Sequence, residues 1–347
     1  MDKNIDYQRS RLIDNLKGLT IFLMVYGHFI QNTLSQPNLY YSDAIFKIIY
    51  SFHMPMFALI SGYLFYHSVF KKSLKALMIS WIKRFLVPIV LWSAINWGLS
   101  CCIHEKIEFN LLFNTITGNY LWFLWSILAA QIIIACCVKF IPDNIRMIGM
   151  IIGFFAMYLF PNPEMNLFLY LFFVLGYCVN QHEVYKKLSN FKARFLSIPL
   201  WIILLLFYSN DSYIYTTGIS IWENGKTISE HFLIDVYRYV IGLCGCLSVI
   251  ILIKILTQLQ KNKSRILQRF GMYSMQVYII QSFIMKIYPL ILNKINNKFV
   301  WIKSIVNYPF AIYILAFFEA CICCYVCVCL AKIIERDDYI SKLLFGR

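Results

Sequence analysis

The sequence predicts an all-α, polytopic membrane protein of about ten transmembrane helices with both termini cytoplasmic. Three observations carry that expectation. Hydrophobic residues make up 60% of the 347 and charged residues only 14%, where a soluble domain carries about 25% charged, so the excess apolar surface has to face lipid. Apolar runs near membrane-spanning length recur along the whole chain. Lys and Arg collect in alternate connections between those runs, the pattern that orients a membrane bundle.

Crossing the hydrocarbon takes about 20 residues of helix. Candidate spans run over 16–34, 45–66, 85–103, 120–141 and 145–160, then 167–179, 195–209, 233–258, 270–292 and 305–334. The fifth, sixth and seventh are short, and Pro161 and Pro163 mark the turn between the fifth and sixth. Arg9, Arg11 and Lys17 precede the first span, and Lys71, Lys72, Lys75, Lys83 and Arg84 fill the second connection. Lys186, Lys187, Lys192 and Arg194 fill the sixth, and Lys261, Lys263, Arg265 and Arg269 the eighth. By this assignment roughly 24 of the 32 basic residues share one side, which is cytoplasmic. Lys286, Lys294, Lys298 and Lys303 are the exception: a basic outer patch suited to an anionic acceptor, or the sign of a miscounted helix.

The charged stretch 1–17 leads into an apolar run without a small-residue cleavage site, so it reads as a first membrane helix, not a removed leader. The chain reads as a single integral-membrane domain over 1–347 with no appended soluble domain, located in the inner (plasma) membrane. A formal charge of +15 could suggest nucleic acid, but the basic residues sit in short clusters between apolar runs, and no nucleic-acid partner is expected. The partners expected are the lipid bilayer, an acceptor, and a second copy in a homo-oligomer. Most of the twelve cysteines lie inside apolar runs, where they act as small hydrophobes. Cys324 and Cys327 form a CxxC without accompanying histidines, so no metal site is expected.

Ionisable residues inside a span are costly and mark functional candidates. Lys17 and His28 stand eleven residues apart, about three helical turns, so they share one face at an axial distance of ~16 Å, with Asp14 within about 40° of the same stripe. A cation at the membrane border and an imidazole at that depth match the reach of an extended pantetheine arm. His53, in Phe52-His53-Met54-Pro55, lies about 12 Å below the outer end of the second span, a depth similar to that of His28. Two histidines on consecutive helices at one depth can meet in one cavity, although each could equally serve packing alone. Glu319, isolated in the last apolar run, could orient a histidine, pair with a buried cation, or make a purely structural hydrogen bond. Asp235 and Arg238, one turn apart, read as a local ion pair.

Asp14-Asn15-Leu16-Lys17-Gly18 followed by Gly27-His28 resembles the opening motif of the acyltransferase-3 family. Phe52-His53-Met54-Pro55 with Ser61-Gly62-Tyr63 is similar to its second-helix signature. Lys83-Arg84-Phe85-Leu86-Val87-Pro88, Leu121-Trp122-Phe123, Phe270-Gly271 with Ser274, and Ile334-Glu335-Arg336 resemble later family positions, in the family's order. The resemblance implies acyl transfer, commonly of acetyl from acetyl-CoA, to a sugar hydroxyl on an envelope or lipid-linked glycan. It implies His28 as the catalytic histidine, with Lys17 where the family usually has Arg. It matches Arg84 to a basic position ahead of the third helix and Trp122 to the start of the fourth. Trp81 stands where a second Arg is common, and Gln281 where many members carry His, so Gln281 is left out of the expected chemistry.

Neutral imidazole suits removal of a hydroxyl proton near neutral pH, and an acyl-histidine relay is the alternative route. The rival function is a lipid-linked sugar transporter or flippase whose histidines line a pathway. No internal repeat of the transporter kind is visible, and a flippase has no need of Lys17 and His28 on one face.

Overall fold

The computed structural model describes residues 3–34, 36–181, 195–218, 227–259, 265–298 and 309–346. Among them no strand occurs, and each of the ten apolar runs contains helix. The helices, in order, are α1 (Lys3–Leu34), α2 (Pro37–Ser42), α3 (Ala44–Lys71), α4 (Leu74–Trp81), α5 (Val87–His104), α6 (Phe109–Asn114), α7 (Trp122–Phe140) and α8 (Arg146–Ala156). After these come α9 (Pro163–Gln181), α10 (Ser197–Leu206), α11 (Ile214–Thr217), α12 (Ile228–Leu259), α13 (Ile266–Met272), α14 (Ser274–Lys298), α15 (Pro309–Ile334) and α16 (Asp338–Phe345). Six helical stretches are long and apolar enough to cross a membrane: Ala44–Lys71, Leu74–His104, Trp122–Phe140, Ile228–Gln258, Ser274–Leu292 and Phe310–Ile334. The fifth and seventh runs form shorter apolar helices, Arg146–Leu159 and Ser197–Leu206. The first and sixth lie within α1 and α9, whose polar residues dilute the apolar sequence. The basic connection 186–194, the segment 219–226, and Lys261, Lys263 and Lys303 lie outside the described residues.

The chain divides into two units. The first holds Met1–His53, Ser197–Asn210 and Cys244–Ile334, so it contains α1, the start of α3, the end of α12, and α13 to α15. Helix α1 packs on α13, α14 and α15. Its closest approach is made by two glycines. A β-carbon on Gly18 would strike the carbonyl of Leu267, and one on Gly271 would strike the carbonyl of Asp14. Small residues allow this backbone-to-backbone contact in a membrane bundle, where packing replaces the hydrophobic drive. The ninth run, expected as one span, is broken at Tyr273, a turn residue between α13 and α14.

The second unit holds Met54–Leu196, Asp211–Leu243 and Glu335–Arg347. It uses the same device: Gly62 meets the Phe173 carbonyl, and Gly176 meets that of Leu59, locking α3 against α9. Pro88 lacks an N–H and would crowd the carbonyl four residues back, and the turn just before it, Ile82–Leu86, winds as a π-helix. Arg84 is in that turn and is exposed. The C-terminal α16 is capped by Asp337, whose carboxylate accepts from the backbone N–H groups of Tyr339 and Ile340. It docks on α5 through buried Phe345 and a Trp92 indole N–H donated to the Leu344 carbonyl at 2.9 Å. Gly346 then meets the backbone of Lys83 and Arg84, so the C-terminal segment shares an end of this unit with those two basic residues. Helix α8 turns Ile148, Ile151, Ile152 and Phe155 outward, an apolar face that suits lipid.

Candidate functional site

The first unit carries Asp14, Lys17, His28, His53 and Glu319; Arg84 and Trp122 belong to the second. Along α1, Lys17 sits beside the glycine crossing, and its ammonium is close enough to act on the Asp14 carboxylate. Burial pushes the Asp14 carboxyl above the ordinary range, while Lys17 and a hydrogen bond with Gln268 pull it back. Asn15 donates to Thr257 Oγ1 at 3.0 Å. The border layer is therefore a paired polar ring that ties α1 to α12 and α13.

Above it α1 turns apolar. Phe22 packs edge-on against Phe317 at 5.4 Å, and the Tyr26 hydroxyl donates to the Tyr313 carbonyl at 3.2 Å. Three turns past Lys17 comes His28, on the same continuous helix. It hydrogen-bonds Gln31 and retains part of its surface accessible. Its backbone carbonyl accepts from Asn32 Nδ2 at 2.8 Å, and Asn32 also reaches Met285 Sδ at 3.5 Å.

His53 is 2% exposed. Its Nδ1 lies 2.9 Å from the Ile49 carbonyl, which can only accept, so the proton sits on Nδ1 and the lone pair on Nε2. Tyr50 joins the two histidines' surroundings. Its ring is edge-on to His53 with centroids 4.7 Å apart, and it rests where a β-carbon on Gly27, the residue before His28, would approach to 3.0 Å. The two imidazoles lie near enough for a charge on one to act on the other.

Glu319 pairs with a tyrosine, not with a histidine or a cation. Tyr288 donates its hydroxyl to Glu319 Oε1 at 2.7 Å, while Oε2 is buried without a partner. Tyr288 also packs edge-on against Phe29 at 5.0 Å, which puts this pair at the level of His28. In the second unit Trp122 is partly exposed and lies edge-on to Tyr215 at 6.2 Å.

Two residues were undervalued in the sequence. Gln281, left out of the expected chemistry, is buried in α14 with its Oε1 unpartnered. Arg238 has its ion pair with Asp235 at 2.8 Å, but also donates to the carbonyls of Asp211, Ser212, Tyr213 and Gly218. Its burial could be anticipated from a lone Arg in an apolar run; its partners could not.

The family described as Acyltransferase domain matches residues 11–329, most of the chain. The chain belongs to the acyltransferase-3 family. Two curated relatives carry the name Nodulation protein NolL. The one from Mesorhizobium japonicum is 25% identical over 228 residues, 62% of this chain and 61% of the relative. The one from Sinorhizobium fredii is 32% identical over 128 residues, 35% of each chain. The matches thus span about three fifths and about one third of those relatives' lengths. No solved structure matches the chain. Lys17, His28 and His53 all fall within the matched span and within the first unit, with Tyr50 against both His53 and the position of Gly27.

Proposed function

We propose that this protein is a membrane O-acyltransferase that moves an acyl group, acetyl first among them, from acyl-CoA to a sugar hydroxyl of an envelope or exported glycan. The observation that carries the reading is the polar axis of α1: Lys17 at the border, His28 three turns deeper, and His53 beside it through Tyr50. The ~16 Å rise between Lys17 and His28 fits a donor whose phosphate is held at the border while its thioester reaches the imidazole. Asp14 tempers the positive charge there and holds Lys17 in place, and Arg84 supplies a second, exposed cation on the basic side of its unit. The ten helical runs, and a C-terminal segment sharing an end with Lys83 and Arg84, support a ten-span inner-membrane protein with both termini cytoplasmic.

His28 in its neutral form removes the proton of the acceptor hydroxyl as that oxygen attacks the thioester carbonyl. A C–O bond forms, the C–S bond breaks, and His28 hands the proton to the departing thiolate, returning to neutral. His53 keeps its Nδ1 proton on Ile49 and presents Nε2 as an acceptor, which orients a neighbouring donor group. The buried setting makes these interactions stronger than in water. Incubating purified protein with radiolabelled acetyl-CoA and envelope glycan fractions tests the reading. Label moves to the glycan if it is right; label that stays in CoA with every fraction defeats it.

A further inference from the structure

Gln281 lies in α14 with 1% of its surface exposed. Its amide nitrogen donates to the Tyr278 carbonyl at 3.3 Å and to Ser282 Oγ at 3.0 Å. Its Oε1 is buried and meets no donor. An acceptor withdrawn from water with no partner destabilises a protein, and a Met or Leu of similar size would not carry that cost. Buried polar atoms are nearly always satisfied, and such an acceptor is completed by a water or by a donor of a bound molecule.

The register shows where that donor would come from. Helices α1 and α13–α14 run parallel, with Gly18 against Gly271 near one end and Asn32 against Met285 farther along. Asn32 and Met285 are 253 residues apart, and Gly18 and Gly271 share that offset (271 − 18). Four residues before Asn32 and Met285, on the same two stripes, stand His28 and Gln281, at the same offset again (281 − 28). His28 is already hydrogen-bonded by Gln31 on its own helix. The register sets Gln281 at the level of His28, and its carbonyl is left for a third party.

We propose that Gln281 Oε1 accepts a hydrogen bond from an N–H or O–H group of the substrate bound at His28, which makes Gln281 a substrate-binding residue; this rests on the acyl-transfer reading above. Both substrates of that reaction carry such a group close to the reacting atoms. The pantetheine arm has an amide N–H two carbons from its sulfur, and a sugar has hydroxyls flanking the one that reacts. In apolar surroundings either needs an acceptor.

The test uses Gln281→Met, which keeps length and removes the oxygen together with the amide nitrogen that bonds Tyr278 and Ser282, and Gln281→Glu, which keeps an acceptor oxygen. Acetyl-CoA is titrated at fixed glycan fraction, and the glycan fraction at fixed acetyl-CoA. Gln281→Met raises one KM about tenfold, the effect of one lost hydrogen bond, leaves the other within about twofold, and melts no lower than wild type because an unsatisfied buried atom has gone. Gln281→Glu restores most of the affinity. A raised donor KM assigns the pantetheine amide, and a raised acceptor KM assigns the sugar. If wild type transfers label and Gln281→Met leaves both KM values unchanged, the inference fails alone, and a lowered melting temperature in that case makes Gln281 structural. If wild type neither transfers label nor binds acetyl-CoA by calorimetry, the acyl-transfer reading and the inference fail together.

Discussion

Replacing Arg238 by alanine is the most informative test of the second unit. The Arg238 side chain is 2% exposed, and its guanidinium serves six acceptors. Nε donates to the Ser212 carbonyl at 3.0 Å. One terminal nitrogen donates to the Gly218 carbonyl at 2.6 Å and to Asp235 at 2.8 Å. The other donates to the carbonyls of Asp211 at 2.7 Å and Tyr213 at 3.1 Å, and to the Thr217 hydroxyl. Alanine would leave four backbone carbonyls and a half-buried carboxylate without this donor, and removal of one partner from a buried charge network costs about 3–5 kcal/mol. Arg238→Lys keeps the charge but offers three donors and no planar fork, so about half that loss is expected. Asp235 is 20% exposed, and Asp235→Asn keeps an acceptor oxygen and gives up only the charge in one contact of six, about 1 kcal/mol. Thermal unfolding of detergent-purified variants, followed by tryptophan fluorescence, should rank them Ala lowest, then Lys, then Asp235→Asn near wild type. Equal losses for Arg238→Ala and Asp235→Asn would refute the clasp and leave only the local ion pair.

Four further outcomes are expected. His28→Ala and His28→Gln, purified and shown to be folded by monodisperse elution and melting temperature, should lose about 10²–10⁴ in transfer rate, and His53→Ala less; folded His28 variants with normal turnover would remove it from the chemistry. Lys17→Ala should raise KM for acetyl-CoA more than it lowers kcat, and Lys17→Arg should be tolerated, since a guanidinium suits phosphate; an unchanged donor KM would make Lys17 structural. Gly18→Val should cost about 1–3 kcal/mol, because its side chain enters the Leu267 carbonyl, and unaltered melting would contradict the glycine crossing. With reactive native cysteines removed, an impermeant thiol reagent on intact cells should label Ser220→Cys and spare Asn190→Cys, and the reverse pattern would invert the topology and the donor side with it.

What could be read in the sequence followed periodicity and length. All ten apolar runs contain helix because hydropathy over a membrane's thickness is a property of the local chain. The Lys17–His28 stripe was equally legible, since a continuous α-helix turns spacing directly into direction. The break at Tyr273 and the π-turn ahead of Pro88 were not, because neither changes the apolar content of its run. Residues whose meaning depends on another helix stayed hidden. Glu319 was read with three alternatives open, a histidine, a cation or a structural hydrogen bond, and its partner Tyr288, thirty-one positions earlier, could not be named. Arg238 was read with its helical neighbour Asp235, whereas most of its acceptors are carbonyls of 211–218. Gln281 looked inert because only burial reveals that its oxygen lacks a donor.

The polar groups of the first unit bear on the proposed site. At the border and on the way inward several satisfy one another: Asn15 bonds Thr257, Thr20 bonds the Leu16 carbonyl, Tyr26 bonds the Tyr313 carbonyl, and Ser51 accepts from the Trp201 indole at 3.1 Å. Such closed pairs let a bundle bury polar atoms at little cost. Around His28 the pattern changes. The imidazole keeps accessible surface, His53 points a lone pair away from its own helix, and Glu319 Oε2 and Gln281 Oε1 are buried without donors. Each unsatisfied acceptor works against folding, a cost that a hydrogen-bond donor of the substrate would offset in the proposed site. The glycine crossing at Gly18 and Gly271 fixes the axial register of α1 against α14, and the shared offset then holds the unsatisfied layer opposite the histidine. Destabilising groups gathered at one depth, by helices locked in register, are what a site for a polar, hydrogen-bond-donating substrate requires.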